Sequence, residues 1–224
     1  MKENNYPDRH KNIPAKQSFP ETNLLVLLVA AIILLVYIIW LVFSNNIVSL
    51  DENMFNAIAP HMTESRTRLM KAISFLGNYQ FLIPANLLLL SYFLFLKKNN
   101  LGLRMAVVAL SSLSVMSLLK RLFHRNRPAQ PLVDGVTNFS FPSGHAFMSV
   151  AFYGLLIWLA AINIANKKVR RLVITFLLSL ILVIGFSRIY LRMHYTSDVV
   201  AGFCMGFVWL MFCLWLTDKA QQGK

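Results

Sequence analysis

Charged residues are scarce in this chain of 224 residues. Only 14% are Asp, Glu, Lys or Arg, whereas 57% are hydrophobic. Soluble domains carry about 25% charged residues, so the composition excludes that class and predicts an integral membrane protein. Cysteine is nearly absent too. Cys204 and Cys213 fall in one apolar run. On a helix their spacing gives roughly 13 Å of rise and opposite faces, which excludes a disulfide between them.

Acidic residues are the rarer charged type, with nine Asp and Glu against 22 Lys and Arg. The bases are scattered in short loops between apolar runs, an arrangement that disfavours nucleic-acid binding. The chain also lacks repeats, low-complexity tracts and signs of a second soluble domain. The composition therefore directs attention to the apolar runs and to the few polar stretches between them.

Six apolar runs are long enough, with a turn borrowed from their flanks, to cross a bilayer core of about 20 helical residues. They predict an all-α integral membrane bundle of six transmembrane helices. The first run exceeds the apolar core of a secretory signal and lacks a cleavage pattern, so we expect it to be retained. The runs cover residues 24–43, 81–96, 105–119, 146–165, 172–186 and 199–217. The expected domains are a cytoplasmic polar tail at 1–23, the membrane domain at 24–217 and a cytoplasmic tail at 218–224.

Basic residues predict the orientation of this bundle. With the N-terminus inside, the inner segments carry 13 Lys and Arg and the outer segments carry nine. Cytoplasmic loops are enriched in bases, so we expect a multi-pass protein of the cell membrane with both termini in the cytoplasm. The first outer loop then covers residues 44–79. Its apolar residues recur at helical spacing, which predicts either a short amphipathic helix at the membrane interface or a capped connector. They are Met54, Phe55, Ile58 and Met62.

Three polar islands fall on the outer side of the predicted bundle. They are residues 120–128, reading KRLFHRNRP, residues 141–145, reading FPSGH, and residues 187–198, reading SRIYLRMHYTSD. Their only carboxylate, Asp198, accompanies six Lys and Arg. This charge would repel a metal cation, so we expect no metal site. It suits phosphate, whose oxygens match the forked guanidinium of arginine.

The residues within the islands have competing interpretations. Ser143 and Gly144 at a helix start offer free backbone N–H groups to an anion, or form an ordinary N-cap. His194 and Asp198 are four residues apart, so on a helix the carboxylate would fix the tautomer of a nucleophilic imidazole. The alternatives are a capping Asp beside an incidental His, or a pair of metal ligands. Snorkelling at the membrane interface is an alternative for the bases, and it is the preferred interpretation of Arg121, Arg125 and Arg192.

Taken together, the islands resemble the three signature motifs of the type 2 phosphatidic acid phosphatase superfamily, which consists of integral membrane lipid phosphatases. The first motif is Lys, six residues and Arg-Pro, the second is Pro-Ser-Gly-His, and the third is Ser-Arg, five residues, His, three residues and Asp. In this chain they begin at Lys120, Pro142 and Ser187. All three are intact and in order, and the resemblance covers roughly residues 50–217.

The resemblance implies a role for each motif residue. His194 would attack phosphorus and form a phosphohistidine, Asp198 would orient His194, and His145 would protonate the leaving oxygen and later activate water. The residues alone leave open which histidine attacks. The resemblance implies no metal and no cofactor. The implied phosphate-binding residues are Lys120, Arg127, Ser143, Gly144 and Arg188.

The function that the resemblance implies is hydrolysis of a lipid phosphomonoester or diphosphate at the outer face of the membrane. The lipid phosphate would be undecaprenyl diphosphate, phosphatidylglycerophosphate or phosphatidate, and no oligomeric state is implied. One alternative is a lipid A phosphatase or a lipid phosphotransferase on the same scaffold. Another is a non-catalytic lipid-binding membrane protein, which the poised histidines argue against. Soluble vanadium haloperoxidases share related motifs, but the six spans disfavour that class.

Overall fold

The computed structural model describes residues 21–44, 47–133 and 138–222. Within these ranges the regular structure is helical and contains no strand, which confirms the all-α prediction. A 3-10 turn, Ala59–His61, follows the second helix. The helices are α1 (Glu21–Phe43), α2 (Val48–Ile58), α3 (Glu64–Phe75), α4 (Tyr79–Phe95), α5 (Asn99–Leu122), α6 (Gly144–Asn163), α7 (Lys167–Tyr190) and α8 (Thr196–Gln222).

Six helical segments of the described residues are long and apolar enough to cross a bilayer, which confirms the six-span prediction. Four of them, the second, third, fifth and last, extend well beyond the apolar runs. The second runs from Glu64 to Phe95, because α3 leads into α4 across a short turn. The last continues to Gln222, since helix α8 extends through the polar residues that follow Thr217.

Helices α6 and α8 form the centre of the bundle, and α1 lies at its edge. In the most apolar part of α6, 56% of the residues are buried inside the protein, against 11% in α1. Helix α6 packs against α5, α7 and α8, whereas α1 packs mainly on α8. The apolar side chains that α1 exposes, such as Leu25 and Trp40, suit a lipid surrounding.

Two glycines bring the backbones of α6 and α8 into contact. A Cβ atom on Gly202 would lie 2.7 Å from the carbonyl oxygen of Ser143, and one on Gly206 would lie 2.7 Å from that of Phe147. Residues four apart share one helix face, so this side of α8 is flat enough for close packing. The backbone N–H of Ser143 then donates to the carbonyl oxygen of Asp198 at 3.0 Å. The start of α6 and the start of α8 are thereby joined.

Of the two interpretations of residues 44–79, the structure contains the amphipathic helix, which is α2. Its apolar residues Phe55 and Ile58 are buried, and they belong to a cluster with Tyr190 and Leu191 at the end of α7. The apolar face of α2 therefore meets protein. Helix α3 packs along α7, so both helices of this loop lie against the end of α7.

Candidate active site

The three polar islands meet at one end of the bundle. Short connections from α6 to α7 and from α7 to α8 make these helices antiparallel, so the start of α6, the end of α7 and the start of α8 lie together. The end of α5 joins them, because a Cβ atom on Gly144 would lie 3.7 Å from Cε of Lys120. Lys120, Gly144, Arg188 and Asp198 occupy these positions, and His194 lies in the connection between α7 and α8. The topology thus collects residues that are far apart in the sequence.

His194 and Asp198 form a buried pair. Their side chains are 2% and 0% exposed, and His194 Nδ1 lies 3.6 Å from Asp198 Oδ2. That distance is too long for a hydrogen bond, but the Ser140 hydroxyl is close to both groups. Ser140 Oγ is 3.4 Å from Nδ1 and donates to Asp198 Oδ2, which also accepts from the backbone N–H of Tyr195 at 2.9 Å. Ser140 therefore links the carboxylate of Asp198 to the imidazole of His194.

The other nitrogen of His194 faces a cation. Arg127 Nη1 lies 3.4 Å from Nε2. A guanidinium can only donate hydrogen bonds, so Nε2 must present a lone pair and the ring proton belongs on Nδ1. In this tautomer the lone pair points towards the basic side chains, and the N–H points towards Ser140 and Asp198.

The imidazole of His194 is neutral at ordinary pH. Its pKa is lowered to about 4: burial is the largest cause, Asp198 acts in the opposite direction, and the positive charges of Arg127 and Arg188 add to the effect of burial. A ring with this pKa carries no proton on Nε2 near pH 7. Neutral imidazole is the form that a nucleophile requires.

His145 has different surroundings. It lies in the first turn of α6 beside Gly77, where a Cβ atom on that glycine would be 3.3 Å from its ring. Among the described residues, no side chain forms a hydrogen bond or an ion pair with its imidazole. The positive charges of Arg188, Lys120 and Arg127 act on it. Of these two histidines, His194 is therefore the one with a carboxylate beside it.

Arg127 and Lys120 are bound to backbone carbonyl groups. The Lys120 ammonium donates to the carbonyl oxygen of Phe139 at 2.8 Å. Arg127 donates to the carbonyl oxygens of Asn138 and Met193, at 2.7 and 2.6 Å. Burial lowers the pKa of Arg127, a sign that its charge has lost solvent and gained little compensation. An incoming anion would therefore compete well for these donors.

Arg188 is the most buried of the three basic residues that the motifs contribute. It is 6% exposed and donates through Nη1 to the hydroxyl of Ser74 on α3. Its Nε has no hydrogen-bond partner within the described residues. Neither Lys120, Arg127 nor Arg188 forms an ion pair in this part of the chain. A cluster of cations with neutral partners is a site for an anion.

Ser143 and Gly144 begin α6 next to this cluster. Ser143 is fully buried, and its Oγ accepts from the backbone N–H of Ala146 at 3.5 Å as the N-cap. A Cβ atom on Gly144 would lie 3.7 Å from Cε of Lys120. The start of the helix and the ammonium group therefore face the same space, and both favour negative charge.

Arg125 does not snorkel towards lipid headgroups, so the preferred interpretation of this residue is wrong. Its side chain is 14% exposed and bridges two carboxylates, with Nη2 2.8 Å from Asp51 and Nη1 2.6 Å from Asp198. Burial lowers the pKa of Arg125, but Asp198 and Asp51 outweigh burial and raise it above the ordinary value. Arg192 lies over the ring of Phe55, 5.3 Å from its centre. Arg121 is exposed, as snorkelling requires.

Several residues of the site escaped the sequence analysis. Asp51 of α2 and Ser74 of α3 contact Arg125 and Arg188, which lie far away in the chain. No local pattern marks them. Ser140 directly precedes the second island, so its position next to a motif was the one available signal.

Residues 101–222 match the sequence model of the PAP2 superfamily, the type 2 phosphatidic acid phosphatases. The match covers more than half of the chain and includes all three islands. The chain belongs to the PAP2 superfamily. This confirms the resemblance drawn from the motifs.

Two curated relatives of this PAP2 protein match over most of their length. Phosphatidylglycerophosphatase B of Bacillus subtilis (strain 168) is 26% identical over 183 residues, covering 81% of this chain and 90% of the relative. Undecaprenyl-diphosphatase of Sulfolobus acidocaldarius is 27% identical over 194 residues, covering 84% and 87%. Both names are those of phosphatases.

A solved structure shares the fold of this PAP2 protein. It is the crystal structure of the transmembrane PAP2-type phosphatidylglycerolphosphate phosphatase from Bacillus subtilis, with a TM-score of 0.77 and 24% identity. The likeness covers 86% of this chain and 96% of the other. Together with the family match, it makes this chain a multi-pass membrane enzyme, a lipid phosphatase of the PAP2 superfamily.

Proposed function

We propose that this PAP2 protein hydrolyses the phosphate or diphosphate group of a membrane lipid through a phosphohistidine on His194. One observation carries the proposal: His194 is buried, with its Nδ1 side on Ser140 and Asp198 and its Nε2 lone pair beside Arg127. A nucleophile next to a carboxylate relay and an anion site has the arrangement that phosphoryl transfer needs.

In the first step, Nε2 of His194 attacks phosphorus. A P–N bond forms, the P–O bond to the leaving group breaks, and the electron pair stays on the leaving oxygen. His145 donates a proton to that oxygen, for which it must itself be protonated when the lipid phosphate is bound. The dianionic phosphate favours that protonation by opposing the surrounding positive charge. Asp198 stabilises the positive charge that the substituted ring of His194 acquires.

In the second step, water attacks the phosphohistidine. His145, now neutral, accepts a proton from the water as the new P–O bond forms. The P–N bond breaks and its electron pair returns to Nε2, which restores the starting tautomer. Phosphate leaves, and His145 again carries the proton that the next cycle requires.

The phosphate oxygens would be held by the cationic side chains and the start of α6. Lys120 and Arg127 exchange their backbone carbonyl partners for phosphate, and Arg188 uses its unpartnered Nε. The Ser143 hydroxyl and the Gly144 N–H complete the set. Phosphoryl transfer is accelerated mainly by positioning and charge stabilisation. The mechanism needs no metal ion, because the two carboxylates that the described residues place at the site, Asp51 and Asp198, are engaged by Arg125.

The substrate we propose is undecaprenyl diphosphate, phosphatidylglycerophosphate or phosphatidate. Support comes from the names of the two relatives and from the position of the basic cluster at a bundle end, where headgroups lie. We further propose that both termini are cytoplasmic and that the site opens on the outer face. The excess of bases on the opposite side, 13 against nine, supports this orientation.

The test is release of free phosphate by the detergent-purified chain from a panel of lipid phosphates and diphosphates. His194→Ala should lower turnover by about 10⁴-fold or more, because it removes the nucleophile. His61→Ala is the matched control, since its side chain is exposed outside the site and its loss should change nothing. Near-normal release by folded His194→Ala would refute the mechanism. A newly phosphorylated lipid in place of free phosphate would identify a transferase.

A further inference from the structure

Asp51 is a buried carboxylate on a helix outside the three motifs. It lies in α2 and is 2% exposed. Besides its ion pair with Arg125, it accepts from the backbone N–H of Ser197 at 3.0 Å and from the Ser197 hydroxyl at 2.6 Å. Burying a carboxylate is costly unless it is fully paired. The burial of Asp51 therefore indicates that the protein uses its charge or its hydrogen bonds.

Arg125 connects Asp51 to the nucleophile's own carboxylate. Its Nη1 contacts Asp198 at 2.6 Å and the Ser197 hydroxyl at 2.7 Å, while Nη2 contacts Asp51 at 2.8 Å. The guanidinium lies 4.2 Å from the ring centre of Tyr195. One cation is therefore shared between two carboxylates, in a position fixed by an aromatic ring.

The charge of this group decides what Asp198 can do for His194. Asp51, Arg125 and Asp198 together carry one net negative charge. Without Asp51, Arg125 would neutralise Asp198 completely and draw it away from the imidazole. Buried charges interact strongly over these distances, so the positive charge that develops on phosphorylated His194 would then lose its stabilisation.

We propose that Asp51 is a positioning residue for the His194–Asp198 pair. Asp51 balances the positive charge of Arg125, so the negative charge of Asp198 can still interact with the imidazole of His194. The inference rests on the proposed role of His194 as nucleophile. Asp51 is not required merely to dock α2, because Phe55 and Ile58 already bury the apolar face of that helix.

The first test compares Asp51→Asn with Glu52→Gln in the full chain, using phosphate release from phosphatidate or whichever panel lipid the wild type cleaves. Asp51→Asn should lower kcat at least about fivefold with KM little changed, as coupling within one buried network implies. Glu52→Gln, on the same helix and exposed, should behave like the wild type. A kcat for Asp51→Asn within about twofold of the wild type would overturn the proposal.

A double variant separates the electrostatic role from a structural one. Arg125→Gln combined with Asp51→Asn restores one net negative charge next to His194. The proposal expects this double variant to have a higher kcat than Asp51→Asn alone, whereas a purely structural role predicts equal or greater impairment. Equal or greater impairment therefore refutes the proposal.

A milder variant covers the case in which Asp51→Asn does not fold. Ser197→Ala removes only the hydroxyl that contacts Asp51 and Arg125, and it too should lower kcat with KM unchanged. An unaltered kcat there would contradict the proposal. If the wild type releases no phosphate from any lipid, the proposed function fails. If wild type is active, His194→Ala is inactive and Asp51→Asn equals wild type, only this inference fails.

Discussion

Buried arginines occur at both ends of the bundle, and they have different partners. At the end away from the site, Arg104 of α5 is paired with Asp218 of α8, and it lies 4.9 Å from the ring centre of Trp158 on α6. At the site end, Arg188 contacts the Ser74 hydroxyl and Arg127 contacts backbone carbonyl groups.

This difference separates a structural arginine from a binding one. Arg104 has a carboxylate partner within the described residues, so its charge is neutralised by a contact that holds α5, α6 and α8 together. Arg127 and Arg188 have neutral partners there, so their charge remains available to a phosphate. Burying a cation without a counter-charge is unfavourable, and such a cost persists where function requires it. Arg125 is a structural arginine like Arg104, because it is paired with carboxylates although it lies in the site.

The largest expected effect comes from exchanging an arginine at each end. Arg188→Gln should lower kcat/KM by about 10²- to 10³-fold, because it removes charge stabilisation of the phosphate. Its melting temperature should stay or rise, since an uncompensated buried cation is lost. Arg104→Gln should keep kcat/KM within about threefold. It should lower the free energy of unfolding by about 1–2 kcal/mol, a value reduced by the partial exposure of Asp218.

Phosphate-release kinetics and thermal unfolding in detergent measure both variants. The comparison breaks down if Arg104→Gln loses as much activity as Arg188→Gln, or if Arg188→Gln unfolds at a markedly lower temperature.

A second prediction concerns the contact between α6 and α8. Gly202→Ala forces a Cβ atom against the backbone of Ser143, so it should cost about 1–3 kcal/mol of stability and displace the start of α6 from Asp198. Activity should fall with it. Gly154→Ala is the matched control, because its Cβ atom would meet side chains, those of Leu210 at 2.7 Å and Val150 at 3.8 Å, and no backbone atom of another segment. It should reduce stability and spare kcat/KM. Equal kcat/KM for the two variants would show that this contact does not position the site.

The third prediction concerns pH. His194 has a folded pKa of about 4, so its nucleophilic form is lost only as pH falls through about 4. Arg127→Gln removes a positive charge that lowers this pKa, so the acid limb of its kcat/KM profile should move to higher pH. Arg104→Gln, at the far end, should leave the limb unmoved. An acid limb in Arg127→Gln that coincides with the wild type would contradict the assignment of His194.

The free energy of unfolding should also depend on pH through His194. The unfolded chain binds a proton on His194 near pH 6.5 and the folded chain only near pH 4. Between these values the unfolded state holds more protons, so the contribution of His194 to stability is lost as pH falls from about 6.5 to about 4.

The smallest expected effect is that of chelation. EDTA should leave phosphate release unchanged, because the site is cationic and Arg125 engages Asp51 and Asp198, the carboxylates that the described residues place there. Vanadate, which mimics five-coordinate phosphorus, should inhibit the enzyme. Loss of activity in EDTA that added Mg²⁺ restores would show that a metal ion takes part.

Sequence reasoning predicted the span number and the motif residues, and the amphipathic helix was one of its two interpretations of residues 44–79. These features are local: an apolar run of about 20 residues spans a bilayer wherever it occurs, and the spacing between His194 and Asp198 is set within a few residues. The lengths of α3–α4, α5, α7 and α8 were underestimated, because a helix can continue through polar residues when tertiary contacts such as that of Arg104 with Asp218 support it.

The sequence by itself determined that the chain is a six-span membrane protein and which residues form its three motifs. Only the tertiary structure decided which charges are paired. Arg125 and Arg188 are both basic residues next to apolar runs, yet Asp51 of α2 pairs with the first and Ser74 of α3 contacts the second. Those partners come from a distant segment, and their position depends on how α2 and α3 dock on α7. Pair formation depends on distance in space, which residue spacing along the chain does not encode.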